Sequence, residues 1–304
     1  MEETNYDKKS GFVAILGRPN VGKSTLMNHL IGQKIAIVSK KAQTTRKEVK
    51  TVWTEERGQI VFLDSPGMLK AENRLGEFML QEIHETFKSS DAVVWIVEPV
   101  KRIGRLEDRI IQLLSVTKKP IILVVNKCDE YKPEAVEAAL RLYQSVGVTF
   151  RDTLAVSALR GTGLPALKDA LFDILPYGPM YYDEETVTEE TEREIAAEMV
   201  REAALRLLDQ EVPHGIAVEI EEMHLRDDGS IYDISASIIC EKKSHKGIII
   251  GKEGSMIKRI GRTARIRMED MLETKVNLQL RVKVREDWRN SDTYLKEYGY
   301  KRKR

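Results

Sequence analysis

A doubly wound α/β sheet followed by a smaller α+β domain is the fold class that the 304-residue sequence predicts, and three observations predict it. Short β-rich runs alternate with amphipathic helical stretches over residues 10–175, the pattern of a largely parallel sheet covered by helices on both faces. Two of those runs, AVVWIV and IILVV, are apolar without alternation, as central strands buried on both faces must be. Beyond Pro176, Gly178 and Pro179 the order of elements changes to α-β-β-α-α-β, and the charge changes with it.

In the first part the strands are expected at Phe12–Leu16, Glu48–Trp53, Gln59–Leu63, Ala92–Val97, Pro120–Val125 and Thr153–Val156. Helices are expected near Lys23–Ile31, Leu75–Lys88, Leu106–Ser115, Glu134–Ser145 and Leu164–Ile174. A short polar turn containing Gly58 joins the second and third strands, so a hairpin places one antiparallel strand at the sheet edge. Residues 1–180 form this domain; residues 181–304 hold an acidic linker, the second domain and a basic tail. There a helix over Glu192–Asp209 is stopped by Pro213 and Gly215. Strands Ile216–Glu222 and Ser230–Cys240 flank the turn Asp227-Asp228-Gly229. A short helix runs into Ile250, a second spans Ser255–Leu272, and Val276–Val284 alternates apolar and polar residues as a strand does.

Composition narrows the function classes. Hydrophobic residues at 42% and charged residues at 32% describe a folded chain, with no apolar run of the ~18 residues needed to cross a bilayer. The polar start, Met1 to Ser10, is no signal peptide, and cytoplasmic location is expected. Cys128 and Cys240 do not form a CxxC pair and the five histidines show no ligand spacing, which argues against a zinc ribbon or disulfide scaffold. The net charge of +1 hides an asymmetry: residues 1–182 carry +4, residues 183–241 carry −14 and residues 242–304 carry +11. A basic final third is the footprint of a surface for nucleic acid or an anionic membrane.

Gly17-Arg18-Pro19-Asn20-Val21-Gly22-Lys23-Ser24 matches GxxxxGK[ST] between a strand and a helix, with Thr25 next. Its glycines let backbone N–H groups face phosphate oxygens, and the helix N-terminus adds positive potential. Lys23 reaches the β- and γ-phosphates, and the Ser24 hydroxyl is a ligand for Mg²⁺. Asn126-Lys127-Cys128-Asp129 follows an apolar strand and selects the base. A carboxylate only accepts hydrogen bonds, and guanine offers N1–H and its amino group side by side, so Asp129 favours GTP over ATP and disfavours an ATPase or kinase reading. The stem of Lys127 can cover the base, and Asn126 can tie this loop to the phosphate loop.

Asp64-Ser65-Pro66-Gly67 fits DxxG: Asp64 orients Mg²⁺ through a water and the Gly67 N–H meets the γ-phosphate. In Gln43-Thr44-Thr45-Arg46 one threonine completes the Mg²⁺ shell; Thr45 is favoured and Thr44 stays open. Ser157-Ala158-Leu159 follows the last strand, with the Ala158 N–H aimed at guanine O6. Catalysis falls to Lys23 and Gly67, in a site without the glutamine that orients water in Ras-like enzymes. Met68 stands in its place, so unaided hydrolysis is slow.

In the second domain Gly251-Lys252-Glu253-Gly254 forms a GxxG turn between two helical runs. Such a turn lets backbone and a helix N-terminus approach the sugar-phosphate of single-stranded RNA. Lys246, Gly247, Ile248, Ile249, Lys258 and Arg259 surround it, and Arg262 and Ile257 extend the same groove. The Lys301-Arg302-Lys303-Arg304 end is a charged tail.

Residues 10–175 resemble a translation-factor-class P-loop GTPase, and the second domain resembles a type II KH domain. Together the GRPNVGKS loop, the TTR segment, DSPG and the GxxG turn resemble the Era family of GTPases over nearly the whole chain. The resemblance implies a GTP-hydrolysing switch that binds the 3′ region of 16S rRNA and assists maturation of the small (30S) ribosomal subunit as a monomer. It also implies peripheral contact with the inner membrane surface, and K⁺ held near Asn20 against the phosphates. Two other readings keep the same domains: an RNA-binding protein with GTP as a structural ligand, and a membrane-associated GTPase.

Overall fold

The computed structural model describes residues 6–33, 36, 41 and 44–301, and Gln43 and residues 302–304 of the basic tail lie outside them. They fall into two compact units, the first of residues 6–33, 36, 45–70 and 79–189, the second of residues 41, 44, 71–78 and 190–301.

The first unit carries a six-stranded sheet of order β2-β3-β1-β4-β5-β6. Its strands are β1 (Lys9–Leu16), β2 (Val49–Glu55), β3 (Gly58–Asp64), β4 (Ala92–Val97), β5 (Ile121–Val125) and β6 (Asp152–Ala155). The helices are α1 (Lys23–Ile31), α2 (Arg74–Ser89, of which residues 79–89 belong to this unit), α3 (Arg105–Ser115), α4 (Pro133–Gln144) and α5 (Leu164–Ile174). Only β2 runs antiparallel, paired with β3 from Val49↔Asp64 to Glu55↔Gly58, so the edge hairpin forms as expected. Every residue of β4 and β5 is buried, which explains their unbroken apolar runs. On one face Val94, Ile96 and Val124 pack in one cluster with Leu26 and Met27 of α1 and Leu167 and Leu171 of α5. On the other, Trp95 meets Tyr143 of α4 edge to face, ring centroids 5.2 Å apart. The acidic stretch read as a linker runs beside β2 for two residues: Val52 N–H donates to the Val187 carbonyl at 2.8 Å, and Thr188 Oγ1 to the Lys50 carbonyl at 2.7 Å. Backbone groups of an edge strand need partners, and this segment supplies some of them.

The second unit has the order α6 (Glu192–Leu207), β7 (Ala217–Leu225), β8 (Ile231–Cys240), α7 (Lys243–Ile250), α8 (Ser255–Leu272) and β9 (Lys275–Val284). A capping box starts α6: the Thr191 hydroxyl accepts from the Glu194 N–H while the Glu194 carboxylate accepts from the Thr191 N–H. Such a cap stabilises a helix by ~1 kcal/mol. The sheet order is β7-β8-β9, with β7–β8 antiparallel and β8–β9 parallel. One core joins Met199 and Ala203 of α6, Ile234 and Ile238 of β8, Ile249 of α7 and Ile260, Ala264 and Met268 of α8. A short helix α9 (Asp292–Glu297), which the sequence reading did not anticipate, ends the unit and is capped by Ser291. No helix among the described residues is long and apolar enough to cross a membrane.

Candidate functional site

Apart from Thr44 and Thr45, which precede β2, the candidate nucleotide residues lie at or near the carboxyl ends of β1, β3, β5 and β6, the edge where ligands bind in doubly wound sheets. Gly17–Gly22 links β1 to α1, and Gly22 caps α1 in the left-handed region at φ 103. A Cβ on Gly67 would stand 2.8 Å from the Pro19 nitrogen and 3.1 Å from Lys23 Nζ, so only glycine lets the DSPG turn lie this close to the phosphate loop. The next residue, buried Met68, donates its N–H to the Gly17 carbonyl at 3.0 Å. Asn20 is exposed with φ 66, a conformation asparagine tolerates better than most residues.

Ser24, Thr45 and Asp64 converge. Ser24 Oγ donates to Asp64 Oδ2 at 2.9 Å and lies 3.1 Å from Thr45 Oγ1, which is itself 3.4 Å from Asp64 Oδ2. Burial raises the Asp64 carboxyl above the usual carboxylate range, opposed by the charge of Lys23 and by the two hydroxyls. Burial likewise lowers Lys23, opposed by Asp64. Its ammonium lies 3.3 Å from the Arg18 carbonyl and 3.5 Å from that of Gly17. Of the two threonines, Thr44 gives its hydroxyl to the Lys41 carbonyl at 2.7 Å, whereas the Thr45 hydroxyl joins Ser24 and Asp64, which supports Thr45 as the favoured one. Buried Asp64 Oδ1 has no hydrogen-bond partner among the described residues. A hard divalent cation with oxygen ligands, directly or through water, fits that donor set.

Asn126 spans the two nucleotide loops. Its Nδ2 donates to the Val21 carbonyl at 2.7 Å and its Oδ1 accepts the Ala158 N–H at 2.8 Å. The second bond corrects an expectation: the Ala158 N–H, read as a donor to guanine O6, is already used to fix Asn126. Ser157 Oγ accepts the Arg160 N–H at 3.0 Å, and Leu159 is 64% exposed beside it. Lys127 sits at φ 65, and Asp129 lies 3.9 Å from Arg160 Nε. Sequence reasoning missed Glu98 and Glu107. Glu98, just beyond β4, accepts from both Arg18 and Lys127, and buried Glu107 of α3 meets Arg18 Nε at 3.0 Å. The position of Glu98 at the end of a fully buried strand was the available signal.

In the second unit the GxxG turn joins α7 to α8. Gly251 (φ 72, ψ 173) and Gly254 (φ 76) both have positive φ, as does Glu253 at 52. Lys246, Gly247, Lys252, Glu253, Lys258 and Arg259 are exposed, and Ile248 is 50% exposed. Ile249 is completely buried and belongs to the core, so its place among the RNA-contacting residues is withdrawn; one residue along a helix is a ~100° turn away. Beside the turn lies a groove of about 400 Å³ between α8 and β9. Its walls are Ile257, Lys258, Arg262 and Arg265 on one side and Val276, Asn277, Leu278 and Leu280 on the other. The sequence suggested the first wall except Arg265; it gave no reason to place β9 opposite.

Comparison with known proteins agrees with both halves. Residues 12–127 match the family model of 50S ribosome-binding GTPases, and residues 211–289 match that of the KH domain. GTPase Era of Clostridioides difficile is 47% identical over 293 residues, covering 96% of this chain and 98% of that protein. GTPase Era of Alkaliphilus oremlandii is 48% identical over 292 residues, covering 96% and 99%. Two solved structures superpose on 96% of this chain and 99% of theirs at 36% identity. One is Era with MgGDPNP and nucleotides 1506–1542 of 16S ribosomal RNA (TM-score 0.91), and the other a single-residue variant of Aquifex aeolicus Era with GDP and AlF4⁻ (TM-score 0.92).

Proposed function

The chain belongs to the Era family of GTPases, and on that basis we propose that it binds GTP between Gly17–Thr25 and Asn126–Asp129, hydrolyses it to GDP and phosphate, and binds single-stranded ribosomal RNA through its KH domain. The observation that carries the hydrolytic part is the convergence of Ser24, Thr45 and buried Asp64 beside Lys23. Ser24, Thr45 and, through water, Asp64 would hold Mg²⁺, which neutralises charge on the β- and γ-phosphates when bound. Lys23 exchanges its two loop carbonyls for phosphate oxygens, whose negative charge offsets the effect of burial on its ammonium. The Gly67 N–H faces the γ-phosphate, and Asn20 favours a K⁺ ion beside it. Asp129 accepts from guanine, with Asn126, Ser157, Ala158 and Leu159 holding its loop in place. Met68 offers no group to orient water, so basal turnover is low.

The domain boundary that fits the two compact units lies near residue 190 rather than the expected 180, because the acidic stretch goes with the first unit. For the RNA, the complex of the relative with 16S rRNA nucleotides 1506–1542 points to the same 3′ region here, and to small-subunit maturation in the cytoplasm. The basic charge of residues 242–304 also suits peripheral contact with an anionic membrane.

Phosphate release under multiple turnover tests the first part. Ser24→Ala should lower Mg²⁺-dependent turnover by about 100-fold, as loss of a site-forming group does. Turnover unchanged at limiting Mg²⁺ would remove Ser24 from that role. Titration with a 16S 3′ oligomer tests the second part. Gly254→Asp should weaken RNA binding about ten-fold or more, since it adds bulk and a like charge where backbone meets phosphate, and leave GTP affinity unchanged. Equal RNA affinity would sink the KH assignment, and tighter binding to anionic vesicles than to RNA would favour the membrane.

A further inference from the structure

We propose that Glu98 is a positioning residue that couples the phosphate loop to the guanine-recognition loop, so that both ends of the nucleotide are gripped together. Glu98 follows β4, which lies between β1 and β5 in the sheet, and the two nucleotide loops follow those neighbours. Its carboxylate therefore stands between them. One oxygen accepts from the Arg18 guanidinium and the other from the Lys127 ammonium. The side chains of Arg18, Glu98 and Lys127 are 28%, 19% and 26% exposed, sheltered enough that the charges are not left to water. Glu107, almost wholly buried, takes the second face of Arg18 at 3.0 Å. Two cations and two anions from four separate segments thus balance.

Each link has a consequence for the ligand. Arg18 lies in the loop whose backbone wraps phosphate, and Lys127 is the residue whose stem covers the base. A lysine held at Nζ by Glu98 and at its backbone in the φ 65 conformation presents that stem in one place. Asn126 joins the same two loops through neutral bonds to backbone; Glu98 adds a charged tie between their side chains. Removing its charge would leave Arg18 with Glu107 alone and Lys127 without this carboxylate, and the tie between the loops would loosen. Because one carboxylate serves both cations, loss at one end is felt at the other.

The inference rests on the nucleotide-site reading above and deepens it. Its test is the release of mant-GDP from the full chain by stopped flow, with equilibrium titration and steady-state GTP hydrolysis. Glu98→Gln should speed release about ten-fold and raise KM in step, with kcat moving less than about two-fold. Arg18→Ala alone should weaken binding about ten-fold, yet add less than about two-fold in the Glu98→Gln background. A structural role elsewhere would lower the nucleotide-free thermal midpoint without this KM effect or this coupling. If Glu98→Gln folds poorly, Glu98→Asp, which keeps the charge but shortens its reach, takes its place with the same expectation. Wild-type release rates, or penalties that multiply independently, overturn the proposal. Asp129→Asn run in parallel separates the two levels: if it switches preference to XTP while Glu98→Gln is silent, only the coupling role fails. If Asp129→Asn still prefers GTP, the site reading itself is wrong.

Discussion

The phosphate loop and the GxxG turn use the same device, a glycine in the left-handed region capping a helix, under opposite conditions of burial. Gly22 caps α1 at φ 103, and a Cβ there would fall 2.2 Å from Asn126 Nδ2. Gly254 caps α8 at φ 76, and a Cβ there would meet nothing closer than 3.9 Å. Around the first, Lys23 and Asp64 are buried with their charges disfavoured. Around the second, Lys246, Lys252 and Arg259 stand in solvent. A buried site discriminates by leaving wrong partners unsatisfied; an exposed groove gains affinity by summing screened charges. The first selects a molecule, and the second attracts a polymer.

Asp129→Asn is the strongest attempt to break that contrast. The amide offers a donor where guanine needs an acceptor, so GTP affinity should fall at least ~100-fold and XTP should become preferred in direct titration. A loss of only a few-fold would mean that the nucleotide site discriminates no better than the exposed groove. Next comes the paired comparison of Gly22→Ala and Gly254→Ala by thermal melting without nucleotide. Both incur the left-handed strain of ~1–2 kcal/mol, but only the first also displaces Asn126, so its midpoint should fall further. Equal midpoints would show the phosphate loop to be as yielding as the GxxG turn. The smallest effect is expected for Lys252→Ala: RNA affinity should drop about two- to five-fold, and the slope of log affinity against log salt should shrink by ~0.7, the share of one phosphate contact. An unchanged slope would place Lys252 outside the phosphate path.

Legibility followed the same division. The helix and strand order of both domains could be read because period and glycine punctuation are local properties, and Phe12–Leu16 differs from β1 only in its start at Lys9. The short α9 was missed because six residues carry too little periodicity to stand out. In the site, GxxxxGKS, DSPG and NKCD were visible as contiguous residue types at strand ends. Ile249 turned into the core and Ala158 turned to Asn126 were not visible, because adjacent residues share the same composition signal.

Residue order alone was therefore enough to say which loops exist, which chemistry each carries and which helix each loop begins. Who meets whom across distance was left to the packed fold. Arg18, Glu98, Glu107 and Lys127 are brought together by the order β2-β3-β1-β4-β5-β6, and the wall of β9 stands opposite α8 through its parallel pairing with β8. Local sequence sets backbone dihedrals and the spacing of apolar residues. Which charged side chains face each other depends on which strand ends become neighbours, and that is settled only when the whole core packs.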